Sequence, residues 1–376
     1  MEIKTDEAAF ESVLAAVAER RAEFARDRYV PRDIIDRFIS VGLYRASTPR
    51  RFGGSPLPPA EFLRKIERIS QVDASAGWVA SFGSALIYFA ALPESTQAEL
   101  YSDGPDLVFA GGLFPVQDAE LTDAGFRVNG QWKFASGCKS ADWLGVGISG
   151  GPESQGKPRT ALLRPSDVEI VENWNVLGLE GTGSHDLRVV DKIVPQEYTF
   201  VRGGTPTIDE PLYRYPTIAY AAQVLAVVGL GTGRAALDYV TEVGSGRSSI
   251  TGGPRLADKP YFRADLAKAE AALRSARGFF YDITEEVWET VLAGVSVSPK
   301  QAGLLRLAAV TAAKAGWNAT QAAFTLSGTG AIADGHPMQR LLRDASVPPQ
   351  HAFLADGIYD GAGAVLSGLE APPGFI

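Results

Sequence analysis

The chain has 376 residues, of which 45% are hydrophobic and 21% charged, and its formal net charge is −8. This is the composition of a globular protein, and its acidity argues against nucleic acid or an anionic membrane as the main partner. The single cysteine, Cys138, excludes disulfides within the chain, and the three widely separated histidines argue against a structural metal site.

The beginning of the chain bears on location. The stretch MEIKTDEAAFESVLAAVAERRAEF is charged and has a helical pattern, unlike a signal peptide. We find no apolar run of the roughly 18 residues that a membrane-spanning helix needs. We therefore expect a cytoplasmic protein.

Residues 1–108 have a helical period. FESVLAAVAERRAEFARDR and PPAEFLRKIERISQVD repeat apolar residues at the spacing of a helix face. SAGWVASFGSALIYFAALPESTQAEL is apolar on most faces, which predicts a helix buried on several sides. We expect an N-terminal helical domain here.

Residues 109–203 change to a period of two. Short runs such as LVFAGGLF, FRVNGQWKF and LRVVDKIVP are bounded by Gly, Pro and Asp. Within the second run, Asn129-Gly130 is a strong hairpin signal. The close spacing of the runs predicts a small β-barrel or sandwich as the second domain.

Residues 204–376 return to a helical period in longer segments. These segments are rich in Ala and Leu and carry charges on one side, which predicts a packed C-terminal bundle. They offer more apolar surface than one subunit's bundle needs. We therefore expect a homotetramer, or at least a dimer.

Two motifs argue against other enzyme classes. GLGTGR, from Gly229 to Arg234, lacks the G-x-G-x-x-G spacing and lies in a helical pattern, so it predicts close helix packing and no nicotinamide site. GTGSHD contains Ser184, His185 and Asp186 side by side. Neighbours on an extended chain point to opposite faces, so these three cannot form a catalytic triad with one another.

Four segments carry a family resemblance: FASGCKSADW, WNVLGLEGTGSHDLRVVDKIVP, RLADKPYFRADLAKAEAALRSAR and QRLLRDASVPPQH. They are similar to two-component flavin-dependent monooxygenases of the acyl-CoA dehydrogenase superfamily, such as the 4-hydroxyphenylacetate, hydroxylated-steroid and indole oxygenases. The resemblance implies an α+β fold: an N-terminal helical domain, a central small β-barrel or sandwich, and a C-terminal four-helix bundle. Where true acyl-CoA dehydrogenases have a Thr-Glu-Pro-x-Ala-Gly-Ser-Asp type of segment, this chain has GGLFPVQDAEL.

The resemblance also implies a function. The chain would be an oxygenase component that uses reduced FMN or FAD and O2, through a C4a-hydroperoxyflavin, to hydroxylate a small phenolic or indolic substrate. A separate NAD(P)H-dependent flavin reductase would supply the reduced flavin.

The resemblance implies a flavin ring against the strand end at Ser136 and Gly137. Ser136 would donate a hydrogen bond to the N5/O4 edge and help to preserve the hydroperoxide. Arg247 and the Gly328-Thr329 loop would contact flavin phosphate, often that of a neighbouring subunit. The expected cofactor-binding residues are Trp132, Phe134, Ser136, Gly137, Trp174, Thr182, Ser184, Arg247, Gly328 and Thr329. The alternative is that Ser136-Gly137 makes a tight turn and the aromatic residues fill the core.

His351 lies after RDASVPPQ, at the spacing where similar aromatic hydroxylases carry a base. An imidazole titrates near neutrality and is therefore suited to taking a proton from a phenol or an indole N–H. The expected catalytic residues are thus His351 and Ser136. Trp78, in DASAGW, resembles a pocket wall of relatives, so Trp78 and His351 are the expected substrate contacts. The alternative for His351 is a surface or helix-capping role.

Two further functions stay open. One is an acyl-CoA dehydrogenase-type flavin dehydrogenase, because Asp360 in DGIYDGAG falls near the position of a catalytic Glu. Asp is one methylene shorter, and placement is critical for proton abstraction. The other is a catalytically degenerate member acting as a scaffold. The presence of Ser136, the GTGSHD loop and His351 argues against this.

Overall fold

The computed structural model describes residues 7–150, 154, 157–246 and 254–375. Helices precede and follow a central region of strands. The helices are α1 (Glu7–Asp27), α2 (Arg32–Ser40), α3 (Pro59–Val72), α4 (Ala74–Ser81), α5 (Glu94–Leu100), α6 (Pro211–Arg214), α7 (Thr217–Gly246), α8 (Pro260–Leu292), α9 (Pro299–Leu326), α10 (Pro337–Ala345) and α11 (Gly357–Leu366). The strands are β1 (Phe109–Gln117), β2 (Glu120–Thr122), β3 (Gly125–Ala135), β4 (Trp143–Ile148), β5 (Arg159–Leu163), β6 (Glu169–Val171), β7 (His185–Val194) and β8 (Thr199–Val201).

The chain forms two compact units. The first unit contains Met1–Pro58, Val79–Val176 and Glu180–Thr217, and the second contains Pro59–Trp78, Leu177–Leu179 and Ile218–Ile376. The three-domain division at residues 108 and 203 follows the change of secondary structure and stays a prediction.

The first unit contains two four-stranded sheets. Their strand orders are β1-β4-β5-β8 and β2-β3-β7-β6. Val128 and Leu187 of one sheet and Leu144 and Val146 of the other belong to one buried core cluster. The alternation of apolar and polar residues has therefore produced two sheets that share a core, in agreement with the predicted small sandwich.

The hairpin prediction at Asn129-Gly130 is wrong. β3 runs straight through these residues, and its partner β7 pairs Lys192 with Val128 and Val189 with Gly130, with a register shift between the two pairs. Gly130 has φ +155, and a Cβ there would lie 2.6 Å from the Gln117 side chain. The glycine thus serves an irregularity within one long strand, and the actual hairpin joins β2 to β3.

The second unit is built around the long helices α7, α8 and α9, with the shorter α11 packed on α9. Gly229 and Gly233 of α7 face Ala313 and Gly316 of α9. A Cβ on Gly229 would lie 3.2 Å from the Ala313 Cα, and one on Gly233 would lie 2.8 Å from the Gly316 Cα. The prediction that GLGTGR serves close helix packing is confirmed.

Two stretches are long and apolar enough to cross a membrane, so the statement that none exists was wrong. They are Ala74–Ala91 and Thr217–Gly246, with mean hydropathies of 1.3 and 1.2 over their windows. Inside the protein, 83% and 78% of these windows are buried. A helix that is apolar on most faces and buried by its own protein is a core helix, as predicted for the first stretch.

Candidate active site

The end of β3 turns an aromatic ring outward. Strand alternation alone would put Phe134 on the same face as the buried Trp132. Phe134 instead has φ +63, and the β3–β7 register shifts between Trp132 and Ala135. As a result the side chain of Phe134 is 66% exposed. A left-handed backbone at a bulky residue is costly, and such strain concentrates at ligand sites.

Trp132 does not belong to a cofactor surface. Its side chain is 0% exposed, and its Nε1–H donates to the Gly147 carbonyl at 2.6 Å. Because the indole has no exposed surface and its polar atom is satisfied inside the sandwich, the expectation that Trp132 contacts the cofactor is wrong. Trp132 fills the core, as the alternative to cofactor contact held, whereas Phe134 does not.

Three hydroxyls lie behind Phe134 in what we call the hydroxyl cluster: Ser136, Thr182 and Ser184. The Ser184 Oγ lies 2.6 Å from the Ser136 Oγ and 2.7 Å from the Thr182 Oγ1. All three residues are buried. Ser184 is the central member of the cluster, because it bonds both of the others.

The turn after the strand is fixed by the same loop. The Gly137 N–H donates to the Thr182 carbonyl at 2.8 Å, and the Ser136 N–H donates to the Phe134 carbonyl at 3.0 Å. Gly137 has φ +76, where a side chain would be strained. Ser136-Gly137 does form a tight turn, as the alternative held, and this turn carries the cluster.

The backbone of Trp174 is held from both sides. Its N–H donates to the Nδ1 of His185 at 3.2 Å, and its carbonyl accepts from Arg28 at 2.8 Å. Its ring meets the Phe134 ring edge-on, with the centroids 6.2 Å apart. His185 thus orients this loop through a hydrogen bond. An open cleft of about 360 Å³ lies beside Trp174 and His185.

Neither His185 nor Cys138 is arranged as a reactive group. Burial lowers the pKa of His185, so the imidazole stays neutral, and with Nδ1 accepting, its proton lies on Nε2. Asp186 accepts instead from Gln131 at 2.7 Å. Burial also raises the pKa of the Cys138 thiol to about 12. The absence of a triad in GTGSHD is confirmed.

These residues fit a flat cofactor with one polar edge. Phe134 presents an exposed ring, Trp174 stands at its edge on a fixed backbone, and the buried hydroxyl cluster lies behind. Flavin has this combination of an apolar ring system and a hydrogen-bonding edge.

In the second unit, three rings form what we call the ring row: Trp78, His351 and Phe353. The Trp78 and His351 centroids lie 6.1 Å apart, and those of His351 and Phe353 lie 5.2 Å apart. The two expected substrate contacts, Trp78 and His351, are thus brought together. Trp78 is nearly buried, and His351 is partly exposed.

The imidazole of His351 caps a turn. Its Nδ1 accepts from the Phe353 N–H at 3.2 Å, at the start of a 3₁₀ turn. With that lone pair engaged, a neutral ring carries its proton on Nε2, which therefore donates. The capping alternative describes Nδ1 correctly. The base role stays a prediction, and it requires Nδ1 to release Phe353.

Buried carboxylates hold the segments beside the ring row. Asp344 accepts from the Leu179 N–H at 2.7 Å, and Asp73 accepts from both the Ala76 N–H and Arg340. Burial raises the pKa of Asp344 to about 7, with the nearby Asp73 as a second cause. Asp344 therefore bonds a backbone amide of the segment before the GTGSHD loop.

The other expected residues are scattered. Gly328 has φ +69 and is exposed together with Thr329, so their phosphate contact stays a prediction. Arg247 lies outside the described residues. Asp360 lies on an exposed position of α11, which does not suit a base that must reach a buried substrate.

One polar residue of the second unit escaped the sequence reading. Arg306 on α9 is only 2% exposed, although it lies in an Ala- and Leu-rich helix where a charge predicts a solvent-facing position. The available signal was its placement in LLRLAAV, where apolar residues flank the arginine on all helix faces.

Comparison with known proteins identifies the family to which this fold belongs. The model of the acyl-CoA dehydrogenase N-terminal domain matches residues 4–100, and that of the acyl-CoA dehydrogenase C-terminal domain matches residues 223–356. The crystal structure of the HsaA monooxygenase from M. tuberculosis has a TM-score of 0.91 at 25% identity and covers 100% of both chains. Fold and site thus define an acyl-CoA dehydrogenase-type flavoprotein.

Three curated relatives narrow the class. The indole-3-acetate monooxygenases of Pseudomonas putida and Acinetobacter baumannii are 50% and 43% identical, covering 98% and 94% of this chain and 95% and 92% of their own lengths. The oxygenase component of an FADH2-dependent resorcinol hydroxylase from Rhizobium is 34% identical over 70% of this chain and 69% of its own. The chain belongs to the flavin-dependent monooxygenases of the acyl-CoA dehydrogenase superfamily, as an oxygenase component that acts with reduced flavin.

Proposed function

We propose that this chain hydroxylates an indole-ring carboxylic acid of the indole-3-acetate class. The observation that carries this proposal is the 50% identity, over 95% of its length, with an indole-3-acetate monooxygenase. A phenolic acid is the second candidate, since a resorcinol hydroxylase is 34% identical.

The cofactor is assigned to the surface at the end of β3. Phe134 and Trp174 would contact the flavin ring, Gly137 would leave room beside it, and Ser136 would donate to its polar edge with Ser184 and Thr182 behind. Arg247 and the loop at Gly328 and Thr329 would contact phosphate. When bound, reduced flavin supplies the electrons that let O2 give one oxygen atom to the substrate.

The substrate side is assigned to the ring row. Trp78 would form an aromatic wall, and the Nε2 of His351 would face the group on the substrate that loses a proton during oxygenation. If Nδ1 keeps its bond to Phe353, Nε2–H stabilises negative charge on the substrate. If Nδ1 releases Phe353, His351 takes the proton.

The dehydrogenase and scaffold alternatives are weaker. The exposure of Asp360 removes the main support for proton abstraction from an acyl thioester. A scaffold has no need of the strained Phe134 backbone or of an exposed ring at that point.

The working enzyme needs partners. We propose a separate NAD(P)H-dependent flavin reductase, a homotetrameric assembly, and a cytoplasmic location. Purified protein mixed with oxidised flavin should not consume NADH until a reductase is added. Light scattering at micromolar concentration should give a mass near four chains, and a monodisperse monomer contradicts the assembly.

A substrate panel tests the proposal. The protein, a flavin reductase, NADH, flavin and O2 are incubated with indole-3-acetate, indole, resorcinol and an acyl-CoA. We expect hydroxylated product from indole-3-acetate in greater yield than from resorcinol. Reduction of flavin by the acyl-CoA, with no oxygenated product, would establish the dehydrogenase instead.

A further inference from the structure

Arg306 is a buried cation without a counter-charge in the part of the chain that the structure describes. It is 2% exposed, and its Nε and one terminal nitrogen are buried with no acceptor among the residues that the structure describes. Burial lowers the pKa of Arg306 to about 10, and no carboxylate within the described ranges offsets this. An unpaired buried charge is costly, and folded proteins rarely keep one without a purpose.

Its surroundings are aromatic. The guanidinium carbon lies 5.4 Å from the centroid of Phe353 and 5.6 Å from that of Phe375. Both rings stabilise the cation through their faces, but neither can accept the in-plane hydrogen bonds of the guanidinium. The site therefore retains its capacity to bind a planar anion.

Arg306 continues the ring row. Phe353 contacts the guanidinium and also lies 5.2 Å from the His351 ring, centroid to centroid. The imidazole and the guanidinium thus lie within reach of the same phenyl ring.

We propose that Arg306 binds the carboxylate of the substrate, so that the aromatic part lies along the ring row towards His351 and Trp78. This inference rests on the proposed function, because it takes an aromatic carboxylic acid as the substrate. Guanidinium matches carboxylate in shape and charge, and the pair becomes strong where water is excluded. Arg306 thereby selects acids over neutral indoles.

Calorimetry on flavin-free protein tests the site without turnover. Indole-3-acetate and neutral indole are titrated into the wild type and into Arg306→Met, Arg306→Lys and Arg277→Met. Arg277 is the matched control. It lies on α8 of the same unit, but it is paired with Glu67 at 2.7 Å. We expect Arg306→Met to weaken indole-3-acetate about 10- to 100-fold, to leave indole unchanged, and Arg306→Lys to recover part of the loss.

The ligand-free proteins give a second readout. Replacing an unpaired buried charge by an apolar side chain of similar volume should maintain or raise the thermal midpoint of Arg306→Met. Arg277→Met should lower it and keep the affinity for indole-3-acetate. Equal affinity of wild type and Arg306→Met for the acid overturns the site. Equal loss of both ligands, with dissociation of the assembly, also overturns it, because Arg306 then pairs with a second copy of the chain.

Turnover separates this inference from the function on which it rests. A higher KM for indole-3-acetate with little change in kcat in Arg306→Met supports a carboxylate anchor. If the acid binds through Arg306 by calorimetry but no oxygenated product forms, the carboxylate site is supported and the proposed function is contradicted. Oxygenation of the acid with unchanged KM in Arg306→Met removes the site and leaves the function.

Discussion

The hydroxyl cluster of the first unit and Arg306 of the second unit are both buried and polar, but they are satisfied differently. Ser136, Thr182 and Ser184 bond one another at 2.6 and 2.7 Å. Arg306 has two nitrogens without an acceptor in the described chain. Hydroxyls that bond one another fix the local shape, whereas a buried cation without an acceptor can bind an anion from outside the chain. The first region is therefore suited to a flat cofactor and the second to an ionised substrate.

The largest effect should come from the ring row. His351→Ala should lower product formation about 10²–10⁴-fold if the imidazole moves a proton during oxygen transfer. His351→Gln keeps a donor but no base, so recovery in this variant assigns donation to Nε2. Product and hydrogen peroxide are quantified in the same reaction.

The control for His351 is another capping histidine. The Nδ1 of His336 accepts from the Met338 N–H at 3.2 Å, the same bond that His351 makes to Phe353. His336→Ala should cost about 1 kcal/mol of stability and leave hydroxylation unchanged. Equal losses of product in the two variants would show that His351 only caps its turn.

The strand end of the first unit offers the next contrast. Trp132→Ala should lower the free energy of unfolding by about 3–5 kcal/mol, because it empties the core of the sandwich. Phe134→Ala, two residues along, removes an exposed ring and should leave the midpoint of denaturant unfolding nearly unchanged. It should weaken reduced flavin about tenfold in an anaerobic titration. Unchanged flavin affinity in Phe134→Ala would move the cofactor away from this surface.

Asp344 of the second unit combines features of both regions: it is a buried ionisable group, but it accepts a hydrogen bond from a backbone N–H. Burial raises its pKa from 3.8 to about 7 in the folded protein, so the folded state binds the proton more tightly than the unfolded state. Its contribution should therefore be largest below about pH 4 and be lost as the pH rises to about 7, by about 1–4 kcal/mol. Urea unfolding at several pH values should show this fall in the wild type. Asp344→Asn should abolish it.

Within the hydroxyl cluster, smaller effects should separate shape from chemistry. Ser184 is the central member, so Ser184→Ala breaks two hydrogen bonds and should cost about 1–3 kcal/mol of stability. Ser136→Ala breaks one of the two hydrogen bonds within the cluster and should cost less stability, yet it should raise the hydrogen peroxide yield more. If Ser184→Ala uncouples more strongly than Ser136→Ala, the donor to the cofactor is not Ser136.

Periodicity and small-residue spacing predicted the helices, the sandwich and the close packing at Gly229 and Gly233. The resemblance then brought Ser136, Thr182, Ser184 and His351 into view. Other features depend on tertiary context. The hairpin signal at Asn129-Gly130 was overridden because β3 pairs with β7 on both sides of these residues. The different fates of Trp132 and Phe134 follow from one positive φ, which no alternation pattern encodes.

The environment of Arg306 also depends on tertiary structure. Its apolar neighbours in LLRLAAV indicate burial, but only the packed helices reveal that two of its nitrogens lack an acceptor among the described residues. The role of His351 likewise depended on a hydrogen bond to Phe353, which the spacing of RDASVPPQH does not show.

Isotope labelling tests the central claim, that this chain transfers one oxygen atom from O2 to an aromatic acid with reduced flavin. Reduced flavin, isotopically labelled O2 and indole-3-acetate are mixed with the wild-type protein, and the product is analysed by mass spectrometry. We expect a hydroxylated acid carrying one labelled oxygen atom. Label-free product, or only hydrogen peroxide across indole-3-acetate and the phenolic panel, would contradict it.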